Sequence, residues 1–520
     1  VRARADVVAI ADDRRPIPPP ESKQSATTWD SASGWFRGFG EQLHPAFTPR
    51  SGGVDHVGDV PDSTWFTNRN AVRPLSPAAI TEGPGLHSKP RDDGRWSVIG
   101  TKSTGFAIGI RVRDENGDEF VLKFDQLGHD EVETGADVTV QRLLFAAGYN
   151  VPENDVVYLS RAALSIAADA KIREGGNARP LRAEDVDILL ARAAREPDGR
   201  YRALASRFLP GTPVGGIEPR GTRPSDPNDA IAHQDRRDMR GLYSLAAWLN
   251  HTDIKAANTL DVWVPDRRDP SRGYVEHYLL DFGKALGAMA RIDQRPESGY
   301  AYYGDEKFTF LKHLNAGIEP PWERVGPFPQ LRGLGFIESA HFDPASWIPL
   351  HRWLPFQLAD RFDRFWGAKL VMSFTPEQIR AALAAARYSE PRTIEYLVRV
   401  LGERQRKIGQ EFFREVAPLD RFHIREGALC FDDLWVRNRL GGAPATYTAE
   451  LSASDTERES RWHQRAHADG TGLVCLGGVP AGASVVEVRI ARPGQNLPAT
   501  RVHIGVARDG SPRVIALDRR

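Results

Sequence analysis

Four residues at fixed spacing carry the chemistry in this chain: His251, Asp253, Lys255 and Asn258, in the pattern H-x-D-x-K-x-x-N, with Asp281-Phe282-Gly283 downstream. An isolated carboxylate at Asp253 is suited to orienting or deprotonating an attacking hydroxyl. Lys255, two residues on, is suited to neutralising charge on a phosphoryl group in transit. An amide and a second carboxylate, Asn258 and Asp281, are suited to holding magnesium against nucleotide phosphates. The competing local reading is a helix-ending turn at 250–253, because Asn and Asp favour turns, with an ordinary strand end at Asp281.

The elements around these residues are those that would position them. The segment 259–264 alternates and is rich in strand formers, 265–273 is a turn, and 274–280 returns as a second strand, so the pattern predicts a hairpin that brings Asn258 and Asp281 to one end. Upstream, 233–249 reads as a helix feeding the Asp253 loop. Gly100, Gly105 and Gly109 suit a glycine-bearing hairpin in which backbone can approach phosphate closely, and suit an ordinary surface turn equally well. Lys123 lies in an apolar strand, between Val121, Leu122 and Phe124. A helix over 129–147 follows, with apolar spacing at Val132, Ala136, Val140, Leu143, Leu144 and Ala147. Glu131 is the first choice to hold Lys123 and Glu133 the second; either is equally placed to serve as first-turn charge at a helix start. Strands are expected at 155–159 and 201–211, the latter leading to a hinge.

In this order, glycine hairpin, Lys123, Glu131, Asp253, Asn258 and Asp281 resemble the protein-kinase-like superfamily over residues 95–290. The 250–258 loop is similar to that of HipA-type kinases, and the Asp-to-Asn spacing to that of aminoglycoside and choline phosphotransferases. No A-P-E motif follows Gly283, and no activation segment is recognisable. The resemblance implies ATP and Mg2+ as cofactors, Asp253 and Lys255 as catalytic residues, Lys123, Glu131, Gly100, Gly105 and Gly109 as nucleotide-binding, and Asn258 and Asp281 as metal-holding. It leaves the acceptor open between a protein and a small molecule or lipid. It also leaves open AMP transfer from a reversed nucleotide, and a pseudokinase or scaffold that uses the cleft structurally.

At 520 residues the chain has room for two or three domains. Lys plus Arg and Asp plus Glu balance at 69 each, so no global basic field argues for nucleic acid. No apolar run is long enough to span a membrane. The expected fold class is α+β: a bilobal protein-kinase-like fold, with a β-rich nucleotide lobe over 96–211, a helical C-terminal lobe over 212–442, and a small β-sandwich over 443–520. The β-sandwich is expected from short strands at 446–451, 472–476, 484–490, 501–506 and 512–517. Residues 27–95, with Trp29, Trp35, Phe36, Trp65 and Phe66, are too aromatic for a linker and are expected to pack on the nucleotide lobe. Residues 1–26 read as a disordered or tether segment. Val1 in place of methionine, ahead of this Pro-rich run, fits a removed leader and an exported or lipid-anchored protein as well as it fits a cytoplasmic one. Cys430 and Cys475 are too few for a metal site and are placed to form one disulfide if the protein is exported.

Overall fold

The computed structural model describes residues 13–22, 49–101, 108–174, 177–288, 298–300, 302, 328–451, 462–480 and 484–519. The architecture is mixed α+β, with four sheets among the described residues. Trp29, Trp35, Phe36, Trp322 and Gly105 lie outside them.

After a short helix α1 (Pro77–Glu82), strands β1 (Trp96–Thr101), β2 (Ile108–Arg113) and β3 (Glu119–Phe124) form an antiparallel meander, followed by helix α2 (Val132–Ala147), β4 (Asn154–Leu159), β5 (Leu164–Glu174), β6 (Asn177–Pro180), helix α3 (Ala183–Leu190) and β7 (Tyr201–Arg207). The strands make one seven-stranded sheet in the order β4-β7-β3-β2-β1-β5-β6, with β1 and β5 parallel. Successive side chains of a strand point to opposite faces. Phe120, Leu122 and Phe124 therefore share one core with Val186 and Leu190 of α3. Lys123 points the other way, to the face where its cross-strand neighbour Leu204 packs with Val140, Leu143 and Leu144 of α2. Burying Lys123 beneath a helix creates a need for a carboxylate there.

The start of α2 is held by the end of β3. The Asp125 carboxylate accepts hydrogen bonds from the backbone N–H groups of Glu131, Glu133 and Thr134 and from the Thr134 hydroxyl. It thus does from a neighbouring strand what a capping side chain ordinarily does from within the helix, satisfying amides that have no partner in the first turn.

Strand β8 (Thr212–Gly215), helix α4 (Arg237–Leu249), and the hairpin β9 (Thr259–Pro265) and β10 (Gly273–Leu279) come next, with the three strands paired in the order β10-β9-β8. The expected tether is docked over residues 13–22: Ile17 and Gly273 exchange backbone hydrogen bonds, and the Asp13 carboxylate accepts from the Thr64 N–H and hydroxyl. Trp65 and Phe66 are buried in the main core, and the Trp65 ring stacks on His277 of β10 with centroids 3.6 Å apart.

Helices α5 (Leu354–Gln357), α6 (Arg361–Met372), α7 (Pro376–Ala385) and α8 (Pro391–Glu415) complete the body. Thr375 and Gln378 form a reciprocal cap at the start of α7, with Pro376 at its first position. Helices α4 and α6 meet at two glycines, where a Cβ on Gly367 would lie 2.2 Å from the Gly241 carbonyl oxygen. Trp353 and Trp366 are buried in this core.

The remainder is β11 (Leu419–Arg425), β12 (Ala428–Asp433), the one-turn helix α9 (Leu434–Arg437), β13 (Thr446–Leu451), β14 (His463–Ala466), β15 (Leu473–Leu476), β16 (Val485–Ala491), β17 (Thr500–Val506) and β18 (Pro512–Arg519). A three-stranded sheet β11-β12-β15 and a five-stranded sheet β14-β13-β16-β17-β18 share one hydrophobic core. Because β15 pairs back onto β12, this unit begins at β11, upstream of the expected boundary at 443. Cys430 and Cys475 face each other across that pairing and are disulfide-bonded, with Cα atoms 4.1 Å apart. No helix among the described residues is long and apolar enough to cross a membrane.

Candidate functional site

Helix α4 is buried along its whole length and ends at Asn250, whose φ of +47° makes it a left-handed C-cap. Backbone N–H groups of Asn250, His251 and Leu286 serve the Ala247, Ala246 and Leu249 carbonyls at this end. Arg404 of α8 adds donors to the Ala247 and Trp248 oxygens at 2.6 and 2.9 Å, while the Trp248 indole donates to the Leu401 oxygen. Past the cap, the Trp347 indole donates to Asn250 Oδ1, the Leu350 N–H to the Thr252 oxygen, and the Thr252 N–H to the Lys284 oxygen. The loop carrying Asp253 is thus seated on α8, on the 347–350 segment and on the residue after Asp281-Phe282-Gly283. A turn of 3-10 helix at Ala256–Asn258 then delivers the chain into β9, and the Leu280 N–H donates to the Asn258 oxygen, so the ends of the hairpin meet as expected.

The Asp253 carboxylate is nearly buried and surrounded by four donors. Its Oδ1 takes Lys255 Nζ and His351 Nε2, both at 2.9 Å. Its Oδ2 takes Lys284 Nζ at 3.0 Å and Asn258 Nδ2 at 3.1 Å. Burial alone would raise the Asp253 pKa. The His351 hydrogen bond and the charges of Lys284 and Lys255 outweigh it and hold the carboxyl far below its ordinary range, so it is an anion at any working pH. His251 has a different role: its imidazole is wholly buried, meets Phe282 edge-on at 5.7 Å, and burial lowers its pKa to about 4. It is a neutral packing group beneath the loop.

Lys123 lies at the other side of the site. Its Nζ is 2.9 Å from Asp281 Oδ1 and 3.4 Å from Asp137 Oδ2. Burial would lower its pKa, but these two carboxylates reverse the effect and keep the ammonium charged. Asp137 is fully buried on α2 and also accepts from Asn154 Nδ2 at 2.7 Å. The expected Lys123–Glu131 pair does not form. Glu131 has a positive φ at the mouth of α2 and, fully buried, turns away from Lys123 to where Arg332 lies 3.0 Å from its Oε1 and the Ser389 N–H donates to Oε2. The physical reason is helical phase: Asp137 lies one turn beyond Glu133 on the face toward β3, whereas Glu131 is not yet in the helix. Glu133 contributes to the field at Lys123 and its side chain lies against Gly283, where an added Cβ would sit 2.6 Å from its Cγ.

Gly109 pairs directly with Lys123 in the sheet, and Gly100 occupies a bulge in β1 opposite Arg111. Asn258 and Asp281 are the residues that could offer hard oxygens, at the two ends of the β9–β10 hairpin. Asn258 spends its Nδ2 on Asp253, which leaves its amide oxygen as the ligand atom, and Asp281 has a carboxylate only one-third exposed on a backbone with φ of +59°. One carboxylate and one amide oxygen suit magnesium, which keeps waters and takes substrate phosphate oxygens to complete its six ligands. No cluster of three or more His, Cys, Asp or Glu side chains among the described residues offers a closed metal cage. A cavity of about 20 Å³ behind Asn250, lined by Glu338, Trp347 and Arg404 among others, has room for about one water and takes no substrate.

Three site residues escaped the sequence reading. Asp137 was within reach of it, as the acid at i+4 from Glu133 in a helix already assigned. Lys284 directly follows Asp281-Phe282-Gly283 and had only proximity to mark it. His351 arrives from nearly a hundred residues downstream on an irregular segment, and no spacing rule marks it.

No protein-family model matches this chain, and no curated protein matches it. A solved structure, the crystal structure of the Golgi casein kinase with Mn/ADP bound, aligns over 62% of this chain and 72% of that chain, with 12% sequence identity and a TM-score of 0.30. A likeness of that degree carries no argument about this chain.

Proposed function

We propose that this chain is an ATP- and magnesium-dependent phosphotransferase that moves the γ-phosphoryl group to a hydroxyl of a protein or small-molecule acceptor. The observation that carries the reading is the meeting of Lys123 with Asp281, 158 residues apart in sequence, beside a loop that presents Asp253, Lys255 and Asn258 together. In this reading the seven-stranded sheet and α2 are the nucleotide lobe, helices α4–α8 the acceptor lobe of a bilobal fold, and the two C-terminal sheets an appended β-sandwich.

Each residue then has a task that its surroundings suit. Lys123, charged and held by Asp137, contacts the nucleotide phosphates. Asn258 and Asp281 would hold magnesium, which when bound supplies positive charge against the phosphate oxygens. Asp253 orients the acceptor hydroxyl and takes its proton as the hydroxyl oxygen bonds to the γ-phosphorus and the bond from that phosphorus to the ADP oxygen breaks. Lys255 offsets charge on the transferring group. A carboxylate held so acidic is a weak base, so its main contribution is orientation, consistent with the loose transition state of phosphoryl transfer. The Cys430–Cys475 bond favours an oxidising compartment, so we place the protein outside the cytosol.

The test is incubation with magnesium and ATP labelled separately at the γ- and α-phosphates, beside Asp281→Ala. Labelling of protein or release of phosphate from the γ label alone, lost in the variant, is expected. Label arriving from the α position, or γ transfer that survives Asp281→Ala, is incompatible with this reading.

A further inference from the structure

An ionised carboxylate has about four lone-pair sites, and at Asp253 all four are taken. Oδ1 is occupied by Lys255 and His351, and Oδ2 by Lys284 and Asn258. A hydroxyl that is to hydrogen-bond to this carboxylate must replace one of these donors. Asn258 is buried and also bonded to the Asp253 backbone oxygen at 2.7 Å, so it is held twice. Lys284 follows the Asp281 loop, and its backbone oxygen accepts from Thr252, so it is part of the frame. Lys255 belongs to the loop itself, two residues from the carboxylate.

His351 differs from all three. Its side chain is 38% exposed, more than that of Lys255 at 33% or Lys284 at 25%. Its backbone is fixed on both sides, by the Leu350 N–H bond to Thr252 and by the buried Trp353 ring. The imidazole can therefore leave by side-chain rotation alone, with no movement of the loop.

Resting on the phosphotransferase reading above, we infer that His351 occupies the seat of the acceptor hydroxyl on Asp253 Oδ1, and closes the carboxylate to water until an acceptor displaces it. His351 is thus a positioning residue that acts through Asp253. Its effect is selective: a hydroxyl delivered with the binding energy of a whole acceptor can displace the ring, whereas a lone water cannot. In the reaction that it suppresses, a water oxygen bonds to the γ-phosphorus, the phosphorus–oxygen bond to ADP breaks, one water proton passes to Asp253 and the other stays on the phosphate.

The experiment is phosphate release from γ-labelled ATP with magnesium and no added acceptor, by the full chain, His351→Ala and His351→Gln, with nucleotide-induced thermal shift measured on each. We expect His351→Ala to hydrolyse ATP roughly tenfold faster than the parent, the scale of one charge-assisted hydrogen bond released. We expect His351→Gln to stay near the parent, because its amide nitrogen keeps a donor on Oδ1, and the nucleotide shift to be the same in all three. Hydrolysis by His351→Ala at or below the parent rate overturns the gate, as does an equal rise in both variants, which would mark an effect of charge rather than of occupancy. If parental hydrolysis is lost in Asp281→Ala while His351→Ala shows no gain, the gate alone fails. If neither the parent nor any variant hydrolyses ATP or shifts with nucleotide, the phosphotransferase reading fails and the gate fails with it.

Discussion

Asp253 and Lys123 are both buried charges, yet they are stabilised for different ends. Around Asp253 the partners are three cationic or cation-capable donors and one amide. They orient the carboxylate and hold it ionised. Asp253→Asn removes the anion while keeping the shape. We expect transfer to fall about a hundred- to ten-thousandfold, the range of a positioned acid–base group, while the ATP–magnesium thermal shift persists; loss of both together would place Asp253 in nucleotide binding instead. Around Lys123 the partners are Asp281 at 2.9 Å and Asp137 at 3.4 Å. Asp137→Asn is expected to cost about 1–2 kcal/mol of stability, because Lys123 keeps Asp281, and to raise the KM for ATP. Glu131→Gln is expected to leave that KM unchanged, because Glu131 faces Arg332. Steady-state kinetics of the two variants side by side checks the assignment.

At the scale of elements, α4 is a buried strut whose C-terminal end sets the height of the Asp253 loop, and Arg404 of α8 is the pin. Burial lowers the Arg404 pKa to about 10, so it remains charged in neutral solution. Arg404→Leu leaves the Trp248 carbonyl without its donor and the Ala247 carbonyl with only the Asn250 N–H at 3.3 Å, and a loss of about 1–2 kcal/mol is expected in denaturant unfolding. His251 beneath the loop has a folded pKa of about 4 against an ordinary 6.5. Below pH 6.5 the unfolded chain binds a proton that the folded chain refuses, so stability falls as pH drops from 6.5 towards 4, by up to about 3 kcal/mol. Above 6.5 this contribution is constant. His251→Phe should flatten that acid limb in pH-dependent thermal unfolding; an unchanged limb would show that His251 is not the group responsible. The hairpin after Asn258, the helix before Asn250 and the strand of Lys123 were legible from alternation and helical spacing, because each buries one regular face. The strands at 419–433 and 463–466 were not read, although β11 and β12 form a local hairpin around Glu426-Gly427 and β14 pairs with nearby β13, because charged residues interrupt their apolar alternation.

Across the whole molecule, distant segments are tied by polar clasps as much as by core. Lys369 of α6 bridges Asp59 and Asp420, Arg519 of β18 reaches Asp420, and Arg492 reaches Asp433. The Lys369 bridge fastens the C-terminal sheets to the helical body, and the two arginine pairs tie segments within those sheets. The disulfide closes 45 residues within those sheets, worth about 4 kcal/mol on a loop-entropy account. Reduction, or Cys475→Ser, is therefore expected to lower the unfolding transition of the C-terminal unit while leaving the ATP–magnesium shift in place. A lost nucleotide shift would mean that the C-terminal sheets support the site directly.

The sequence by itself determined the site's core chemistry as candidates: Asp253, Lys255, Asn258, Asp281 and Lys123. Local spacing puts Asp253, Lys255 and Asn258 on one loop and the hairpin register returns the chain to Asp281, whereas Lys123 is brought to Asp281 across 158 residues by packing. Only the tertiary structure decided who their partners are. Asp137 rather than Glu131 meets Lys123, because helical phase and the Asp125 cap at the α2 start set which acid faces the sheet. Lys284 closes on Asp253 from the loop after the β9–β10 hairpin, and His351 from a segment nearly a hundred residues downstream that packs beside it. Partner choice for a buried charge depends on where the backbone passes, and that is set by the packing of the whole chain.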